Sequence, residues 1–98
     1  MIYHLDMDGS TRLLVSHLSP SLKKRLKESL RSIAKDPHLG KPLQENLAGL
    51  YSYRVGSWRI VYSIHWPKRL VQIVTVGPRR TIYEELEREL KLRGRIKY

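Results

Sequence analysis

Residues 51–65 read YSYRVGSWRIVYSIH, and this stretch decides the fold. Its first five residues alternate apolar and polar side chains, as a half-buried strand does. Gly56-Ser57 then supplies a two-residue turn, so we expect a β-hairpin whose returning strand is residues 58–65. In this register Arg54 lies opposite Arg59, on the sheet face that the aromatic and branched residues do not use. Like charges in such a pair destabilise a sheet, so the pairing indicates an anion held between the two guanidinium groups.

A third strand follows, and it carries another arginine to the same place. Residues 70–77 (LVQIVTVG) predict a strand antiparallel to the second one, ending beside the start of residues 58–65. Arg79 lies just beyond that end, so Arg54, Arg59 and Arg79 are expected to meet at one edge of the sheet. The donors of arginine suit phosphate oxygens. The alternative is that the three are separate solvated side chains on an exposed face.

Two further residues accompany these arginines. Arg80 adds a positive charge directly after Arg79, and Tyr83 follows four residues after Arg79. An aromatic ring beside arginines is suited to stacking on a nucleobase. The alternative for Tyr83 is a helix residue that packs on the sheet edge.

The composition indicates one small, strongly basic domain. The chain has 98 residues, with 19 Lys and Arg against 9 Asp and Glu, and a net charge of +10. A single domain covering residues 1–98 is expected at this length, and the charge favours polyanionic partners, nucleic acid first. The absence of cysteine excludes disulfides and thiolate metal sites. The four histidines lack ligand spacing, so neither a metal nor a cofactor is expected.

The sequence also predicts the cellular compartment of the protein. No apolar run approaches the ~20 residues that a membrane-spanning helix needs, so no membrane partner is expected. The N-terminus MIYHLDMDGS lacks the basic and apolar regions of a signal peptide. The cytoplasm is therefore the expected compartment.

The N-terminal third predicts one strand and two helices. Residues 1–7 alternate as a first strand, and Ser10 is the expected N-cap of a short helix near residues 11–18. Ser-Pro at 19–20 starts a longer helix, which stops at Asp-Pro at 36–37. The apolar stripe of that helix comprises Leu22, Leu26, Leu30, Ile33 and Ala34.

The remaining segments predict a connector, a final helix and a tail. Residues 38–49 contain two glycines and a proline and indicate an irregular connector. A last helix is expected over residues 81–92, with Ile82, Leu86 and Leu90 on one face. Residues 93–98 form a short basic tail.

The long helix predicts a second cationic surface. Its polar faces carry Lys23, Lys24, Lys27 and Arg31. We interpret these residues, together with Arg80, as candidate contacts for an RNA backbone. The alternative is an ordinary solvated helix face.

The order of elements predicts an α+β domain with an N-terminal strand, two helices, a three-stranded antiparallel meander and a C-terminal helix. The helices are expected on the apolar face of the sheet. The other face, which carries Arg54 and Arg59 and is here called the arginine face, would then stay open as a groove.

The motifs LYSYRVG (50–56), WRIVY (58–62) and VGPRRTIY (76–83), in this order, are similar to those of the RelE/ParE toxin superfamily. The similarity covers most of the chain, including IYHLDMD (2–8) and GKPL (40–43). The RelE branch consists of ribosome-dependent endoribonucleases that cut mRNA in the ribosomal A site and are held inactive by an antitoxin.

The resemblance implies a RelE-like fold and a metal-independent endoribonuclease (mRNA interferase). Its functional residues would be Arg54, Arg59, Arg79 and Tyr83, acting on RNA whose own 2′-hydroxyl attacks the neighbouring phosphate. Arg59 and Arg79 are expected at the scissile phosphate and Arg54 at the same or the adjacent one, while Tyr83 stacks on a base or orients the 2′-hydroxyl. The expected partners are a cognate RelB-like antitoxin, in a toxin–antitoxin heteromer, and the ribosome with its mRNA. The free toxin is expected to be a monomer.

Two positions depart from the family pattern. Some members carry a basic residue where this chain has Ser52, and many have histidine where it has Pro78. Either change could weaken catalysis or shift proton transfer to another group. Two alternatives therefore stay open: a ParE-like, non-catalytic inhibitor of DNA gyrase, and a degenerate toxin that only binds its antitoxin or nucleic acid.

Overall fold

The computed structural model describes residues 2–92, which form a five-stranded sheet and three helices. The strands are β1 (His4–Met7), β2 (Lys41–Pro42), β3 (Leu50–Val55), β4 (Trp58–His65) and β5 (Leu70–Pro78). The helices are α1 (Gly9–Ser16), α2 (Pro20–Lys35) and α3 (Ile82–Leu92). The basic tail expected at residues 93–98 lies outside the described residues. Within residues 2–92, no helix combines the length and the apolar composition needed to cross a bilayer.

The sheet has the strand order β1-β5-β4-β3-β2. Strands β3, β4 and β5 form the expected antiparallel meander, so the α+β class and the order of elements are confirmed. Strand β1 joins one edge in parallel with β5, and β2 pairs with the start of β3 at the other edge. The connector expected to be irregular therefore contains a two-residue strand, which lies between 3-10 turns at Pro37–Leu39 and Glu45–Leu47.

The two N-terminal helices begin at capping side chains. The Ser19 hydroxyl accepts a hydrogen bond from the Leu22 N–H at 3.4 Å, so the expected start of α2 is confirmed. The expectation that Ser10 caps α1 is wrong. The carboxylate of Asp8 accepts from the Thr11 N–H at 2.8 Å and from the Ser10 hydroxyl at 3.0 Å. The charged oxygen of Asp8 prevails because it interacts favourably with the free N–H groups of the first turn.

Apolar side chains are buried on both faces of the sheet. On one face, Leu26 and Ile33 of α2 belong to a cluster with Ile60 and Tyr62 of β4. On the arginine face, Val61 is fully buried beneath α3. The residues of α3 that cover it form the expected stripe: Ile82, Leu86 and Leu90.

The expectation that all helices pack on one face, leaving the arginine face open, is therefore wrong. Alternation along β4 directs Val61 to the face opposite Ile60, and a β-bulge in β5 brings Val74 to the same side as Val61. Leaving apolar area exposed to water costs roughly 25 cal/mol per Å². By covering Val61 and Val74, α3 removes this cost. The arginine face remains exposed at Arg54, next to the β3–β4 turn.

A buried tyrosine anchors the connector to the sheet. The Tyr62 side chain is fully buried, and its hydroxyl donates to the Pro37 carbonyl at 2.7 Å and accepts from the Gly40 N–H at 2.9 Å. Burial raises the pKa of Tyr62 from 10.0 to about 12, although the Gly40 N–H acts to lower it. Gly40 has to be glycine because a Cβ atom there would overlap the Tyr62 hydroxyl.

Candidate functional site

The turn between β3 and β4 places two arginines side by side. Gly56 has a φ of 60°, which the first central position of a type II′ turn requires, and Ser57 completes the turn. Val55 pairs with Trp58, so Arg54 pairs directly with the first arginine of β4, as the sequence predicted. The second pair from such a turn is of the non-hydrogen-bonded kind, with Cα atoms about 4.5 Å apart. Both guanidinium groups therefore start from neighbouring points on the arginine face.

Arg59 is more enclosed than its partner. Arg54 is exposed, whereas Arg59 is half-buried in β4, opposite Gly77 of β5. The Nε atom of Arg59 is buried and has no hydrogen-bond partner in the described part of the chain. A buried donor without an acceptor costs about 1–3 kcal/mol, and more when the group is charged. Because the residue as a whole is only half-buried, an anionic ligand on this face would offset the charge of the guanidinium group.

The third arginine is tied to the same turn through its backbone. The N–H of Arg79 donates to the Ser57 carbonyl at 2.7 Å. Pro78 ends β5 opposite Trp58, the first residue of β4, so this bond extends the pairing of the two strands by one step. The side chains of Arg79 and Arg80 are both exposed. The backbone positions of all three predicted site arginines therefore lie at one end of the sheet.

Strands β3, β4 and β5 carry no acidic side chain, and Glu28 of α2 is the acidic residue that lines the cleft beside Arg54. No Asp or Glu occurs between residues 46 and 83, a range that contains β3, β4 and β5. The next carboxylates along the chain are Glu84 and Glu85, which lie in the first turn of α3 and interact favourably with its N-terminus. The resulting positive potential favours an anionic ligand.

Tyr83 lies on the arginine face, at the start of α3. Its ring packs at the border of the apolar cluster beneath the helix, and its hydroxyl lies 2.8 Å from the Oγ atom of Ser52. Ser52 is only 3% exposed and precedes Arg54 by two residues on the same face of β3. Two residues of a strand span about 7 Å, so Tyr83 both packs on the sheet and borders the arginine pair.

Sequence reasoning missed Arg25, which approaches the same turn from α2. A Cβ atom added at Gly56 would lie 3.0 Å from the Nη2 atom of Arg25. An open cleft of about 260 Å³ separates α2 from β3 here, and Arg25, Glu28, Ser29 and Arg54 help to line it. The signal in the sequence is that Arg25 and Ser29, one helical turn apart, flank the apolar stripe of α2 and so face the sheet edge.

The basic residues predicted on α2 are not part of this cluster, because α2 packs on the opposite face of the sheet. Lys24, Lys27 and Arg31 are exposed. Lys23 is half-buried, and its Nζ atom donates to the Ser16 carbonyl at the end of α1, at 3.1 Å. They form a separate cationic surface.

The described part of the chain offers no metal centre, since no three His, Cys, Asp or Glu side chains between residues 2 and 92 could hold an ion. The groups that this end of the sheet presents to a ligand are guanidinium groups and the half-buried Tyr83, whose hydroxyl is bonded to the buried Ser52.

Comparisons with known proteins identify the family. The model of the family described as "ParE toxin of type II toxin-antitoxin system, parDE" matches residues 10–83. The toxin RelE of Mycobacterium tuberculosis is 43% identical over 49 residues, which are 49% of this chain and 50% of that protein. The aligned part thus spans about half the length of this curated relative.

Two solved structures share the fold. The toxin–antitoxin complex RelBE2 of Mycobacterium tuberculosis has a TM-score of 0.73 and 28% identity, covering 81% of this chain and 100% of that chain. A mutant of the E. coli toxin RelE in the free state has a TM-score of 0.75 and 23% identity, covering 95% of this chain and 98% of that chain. The second likeness concerns the fold alone.

The resemblance seen in the sequence is therefore confirmed, and the matched range contains Arg54, Arg59, Arg79 and Tyr83. The chain belongs to the ParE toxin family of type II toxin–antitoxin systems, within the RelE/ParE superfamily.

Proposed function

We propose that this chain is a toxin that acts as a ribosome-dependent endoribonuclease and cuts mRNA in the A site. The observation that carries the proposal is the environment of Arg59, a half-buried arginine with a second arginine directly beside it. Its buried Nε has no acceptor among the described residues, and Arg54 lies directly beside it in the sheet. Residues 46–83 contain no carboxylate, and Glu28 of α2, which lines the cleft beside Arg54, is accompanied there by the cation Arg25. An RNA phosphate on this face supplies the negative charge that offsets the two guanidinium groups.

In the proposed reaction the 2′-hydroxyl oxygen attacks the adjacent phosphorus, and the bond from phosphorus to the 5′ oxygen of the next nucleotide breaks. The attacking hydroxyl loses its proton, and the departing 5′ oxygen gains one. The products are a 2′,3′-cyclic phosphate and a 5′-hydroxyl. The step needs no metal ion, because the nucleophile belongs to the RNA.

Negative charge builds up on the phosphorane oxygens during this step. One well-placed donor aimed at such charge contributes about 3–4 kcal/mol to the barrier reduction. We assign Arg59 and Arg79 to the scissile phosphate, and Arg54 to the same or the adjacent phosphate. The exposed Arg54 and Arg79 are free to reach substrate, and the half-buried Arg59 fixes the position of the phosphate.

Tyr83 is assigned to the substrate beside the phosphate. Its ring is half-buried and its hydroxyl is engaged with Ser52, so stacking on a base is the role that this arrangement favours over orientation of the 2′-hydroxyl. Such stacking contributes roughly 1–3 kcal/mol per base. Arginine stays charged up to about pH 12, so the three arginines act by stabilising charge and not as general acid or base.

The remaining cations are proposed to contact RNA backbone outside the catalytic site. Arg80 adjoins Arg79, and the α2 surface of Lys23, Lys24, Lys27 and Arg31 lies on the other side of the sheet. A site that lacks a strong general base depends on accurate placement of its substrate. The ribosome would provide that placement in the cytoplasm.

The partner is proposed to be a RelB-like antitoxin, in a toxin–antitoxin heteromer that forms from a monomeric free toxin. The similar RelBE2 structure is itself such a complex. Antitoxin binding would be independent of the phosphate contacts. Arg79→Ala should therefore abolish toxicity while antitoxin affinity stays nearly unchanged.

A second candidate function is inhibition of DNA gyrase without catalysis, which the name of the matching family favours. A third is a degenerate toxin that only binds partners, if Ser52 and Pro78 have removed activity. The test is primer extension on translated mRNA after induction of the chain, with purified gyrase assayed for supercoiling in parallel. Codon-positioned cuts are expected with wild type and not with Arg79→Ala. Growth arrest without mRNA cuts, together with loss of gyrase supercoiling, would contradict the nuclease assignment and support the gyrase inhibitor.

A further inference from the structure

The end of the sheet away from the arginines carries an exposed tryptophan on the β4–β5 turn. Trp66 is 44% exposed. The ring of His38 stacks on it with centroids 4.9 Å apart and an interplanar angle of 26°. The ring of Tyr3 meets it edge-on, with centroids 5.8 Å apart. Two aromatic rings from two other segments, those of Tyr3 and His38, thus contact one solvent-facing indole.

Backbone hydrogen bonds hold these segments together. The His4 N–H donates to the Arg69 carbonyl at 2.9 Å, and the Arg69 N–H donates to the Trp66 carbonyl at 3.1 Å. The Tyr3 N–H donates to the Ala34 carbonyl at 2.8 Å. Arg69 adopts a φ of 50°, the left-handed conformation that closes the turn. These hydrogen bonds therefore hold the backbone that carries the Trp66 indole in a defined position.

The charges around this indole are mainly positive. The segments 2–5, 36–39 and 64–70 contain Lys68 and Arg69, both exposed, and three exposed histidines. Asp36 is their one acidic residue, and its carboxylate accepts a hydrogen bond from the His38 N–H at 3.1 Å. A protein partner matched to this surface would have to be acidic and apolar at once, whereas single-stranded RNA provides negative phosphates and flat bases in every nucleotide.

We propose that Tyr3, His38, Trp66, Lys68 and Arg69, here called the aromatic–basic surface, form a second RNA-binding site. An unpaired base stacks on Trp66, and the flanking phosphates bind Lys68 and Arg69. Arg59 and Trp66 are seven residues apart along β4 and its turn, or roughly 23 Å at 3.3 Å per residue. The site goes beyond the proposed nuclease function and does not rest on it, because it is separate from the phosphate site at the arginines.

The test uses the full chain with Trp58→Phe, which leaves Trp66 as the sole tryptophan. Arg59→Ala and Arg79→Ala are added to disable the arginine site. The probe is a single-stranded 2′-O-methyl RNA of eight nucleotides, which cannot be cut by 2′-hydroxyl attack. Saturable quenching of Trp66 fluorescence by this RNA is expected. If the RNA does not quench Trp66 fluorescence in this triple variant, the proposal is overturned.

Affinity is then measured by anisotropy of the same RNA carrying a dye, in variants checked for folding by circular dichroism. Trp66→Ala should weaken binding by about tenfold, within the range that loss of one stacked base produces. Lys68→Ala and Arg69→Asn, which tolerates the left-handed conformation, should each reduce the salt slope by about 0.7. Arg12→Ala is the control that removes one positive charge outside this surface. In the Arg12→Ala background, Trp66→Ala should weaken RNA binding by the same factor as in its absence.

A folded Trp66→Ala variant with wild-type RNA affinity would overturn the proposal, since the indole would then contribute nothing to RNA binding. If Trp66 fluorescence instead responds only to an added acidic protein, the surface is a protein-docking site, and the RNA assignment is wrong.

Discussion

The Tyr83 hydroxyl lies 2.8 Å from the Oγ atom of Ser52, joining the first turn of α3 to β3 on the arginine face. Ser52 is almost fully buried, and the Tyr83 side chain occupies space beside it. A long basic side chain at position 52 would compete with Tyr83 for that space. The serine instead forms a hydrogen bond that holds Tyr83 near Arg54.

This bond should be measurable as a coupling between the two residues. Ser52→Ala and Tyr83→Phe each remove one hydroxyl and leave the other without its partner. We expect a coupling free energy of about 0.5–1.5 kcal/mol in a double-mutant cycle of urea unfolding. Single-mutant effects that simply add in the double variant would show that the two hydroxyls do not interact in solution.

The ring and the hydroxyl of Tyr83 should contribute differently to cleavage. Tyr83→Phe keeps the ring, so we expect translated mRNA to be cut within a few-fold of the wild-type rate. Tyr83→Ala removes the stacking surface and should lower the rate by about 10- to 100-fold. Single-turnover cleavage on programmed ribosomes measures both variants. Equal, large losses in both would assign the essential role to the hydroxyl.

Loss of Arg59 should separate activity from stability. Arg59→Ala removes an unpaired buried donor and a like-charge neighbour of Arg54, so the free energy of unfolding should be unchanged or slightly higher. Cleavage should fall by about 100- to 1,000-fold. Arg88→Ala on the exposed side of α3 is the matched charge control and should retain activity. An Arg59→Ala variant that is unstable would indicate a structural role for this arginine.

Two glycines should respond in opposite ways to alanine. Gly40→Ala places a methyl group against the buried Tyr62 hydroxyl and ring, and should cost about 1–3 kcal/mol of unfolding free energy. Gly9→Ala, at the start of α1, meets nothing within 4 Å and should be neutral or stabilising by up to about 1 kcal/mol. Urea denaturation measures both, and equal effects would mean that the connector does not pack on Tyr62.

Tyr62 should make stability fall at alkaline pH. Its pKa in the folded chain is raised to about 12, so the folded state binds the phenol proton more tightly than the unfolded chain does. The resulting stabilisation is complete below pH ~10 and is lost between pH ~10 and ~12. Tyr62→Phe leaves the Pro37 carbonyl and the Gly40 N–H without their partner, which should cost about 1–3 kcal/mol at neutral pH.

The same variant lacks the alkaline loss, so the gap in unfolding free energy between the two proteins should narrow from pH 8 to pH 11. Urea denaturation at the two pH values measures this gap. A gap of constant size would show that the phenol titrates alike in the folded and unfolded chains.

The hairpin and its arginine pair could be predicted because the determinants are local. Gly56-Ser57 fixes a two-residue turn, and a two-residue turn fixes which residues face each other. The start of α2 followed in the same way from the Ser-Pro sequence at 19–20. Arg79 reached the predicted end of the sheet because β5 runs antiparallel to β4.

The covering of the arginine face by α3 could not be predicted from the pattern. The stripe of Ile82, Leu86 and Leu90 identifies an amphipathic helix and does not say which sheet face it packs against. The deciding residue is Val74, which the β-bulge brings to the side of Val61, and such bulges depend on the assembled sheet. Arg25 was missed for a similar reason, because its approach to Gly56 depends on how α2 crosses the sheet.

The central claim is that Arg54, Arg59 and Arg79 together bind the scissile phosphate and its immediate neighbour in one RNA strand. NMR of the arginine Nε–H groups during titration with a 2′-O-methyl RNA trinucleotide tests it most directly. The expected result is that these three resonances shift together and fit one dissociation constant, while that of Arg88 stays in place. Three different dissociation constants, or a shift confined to one arginine, would contradict it.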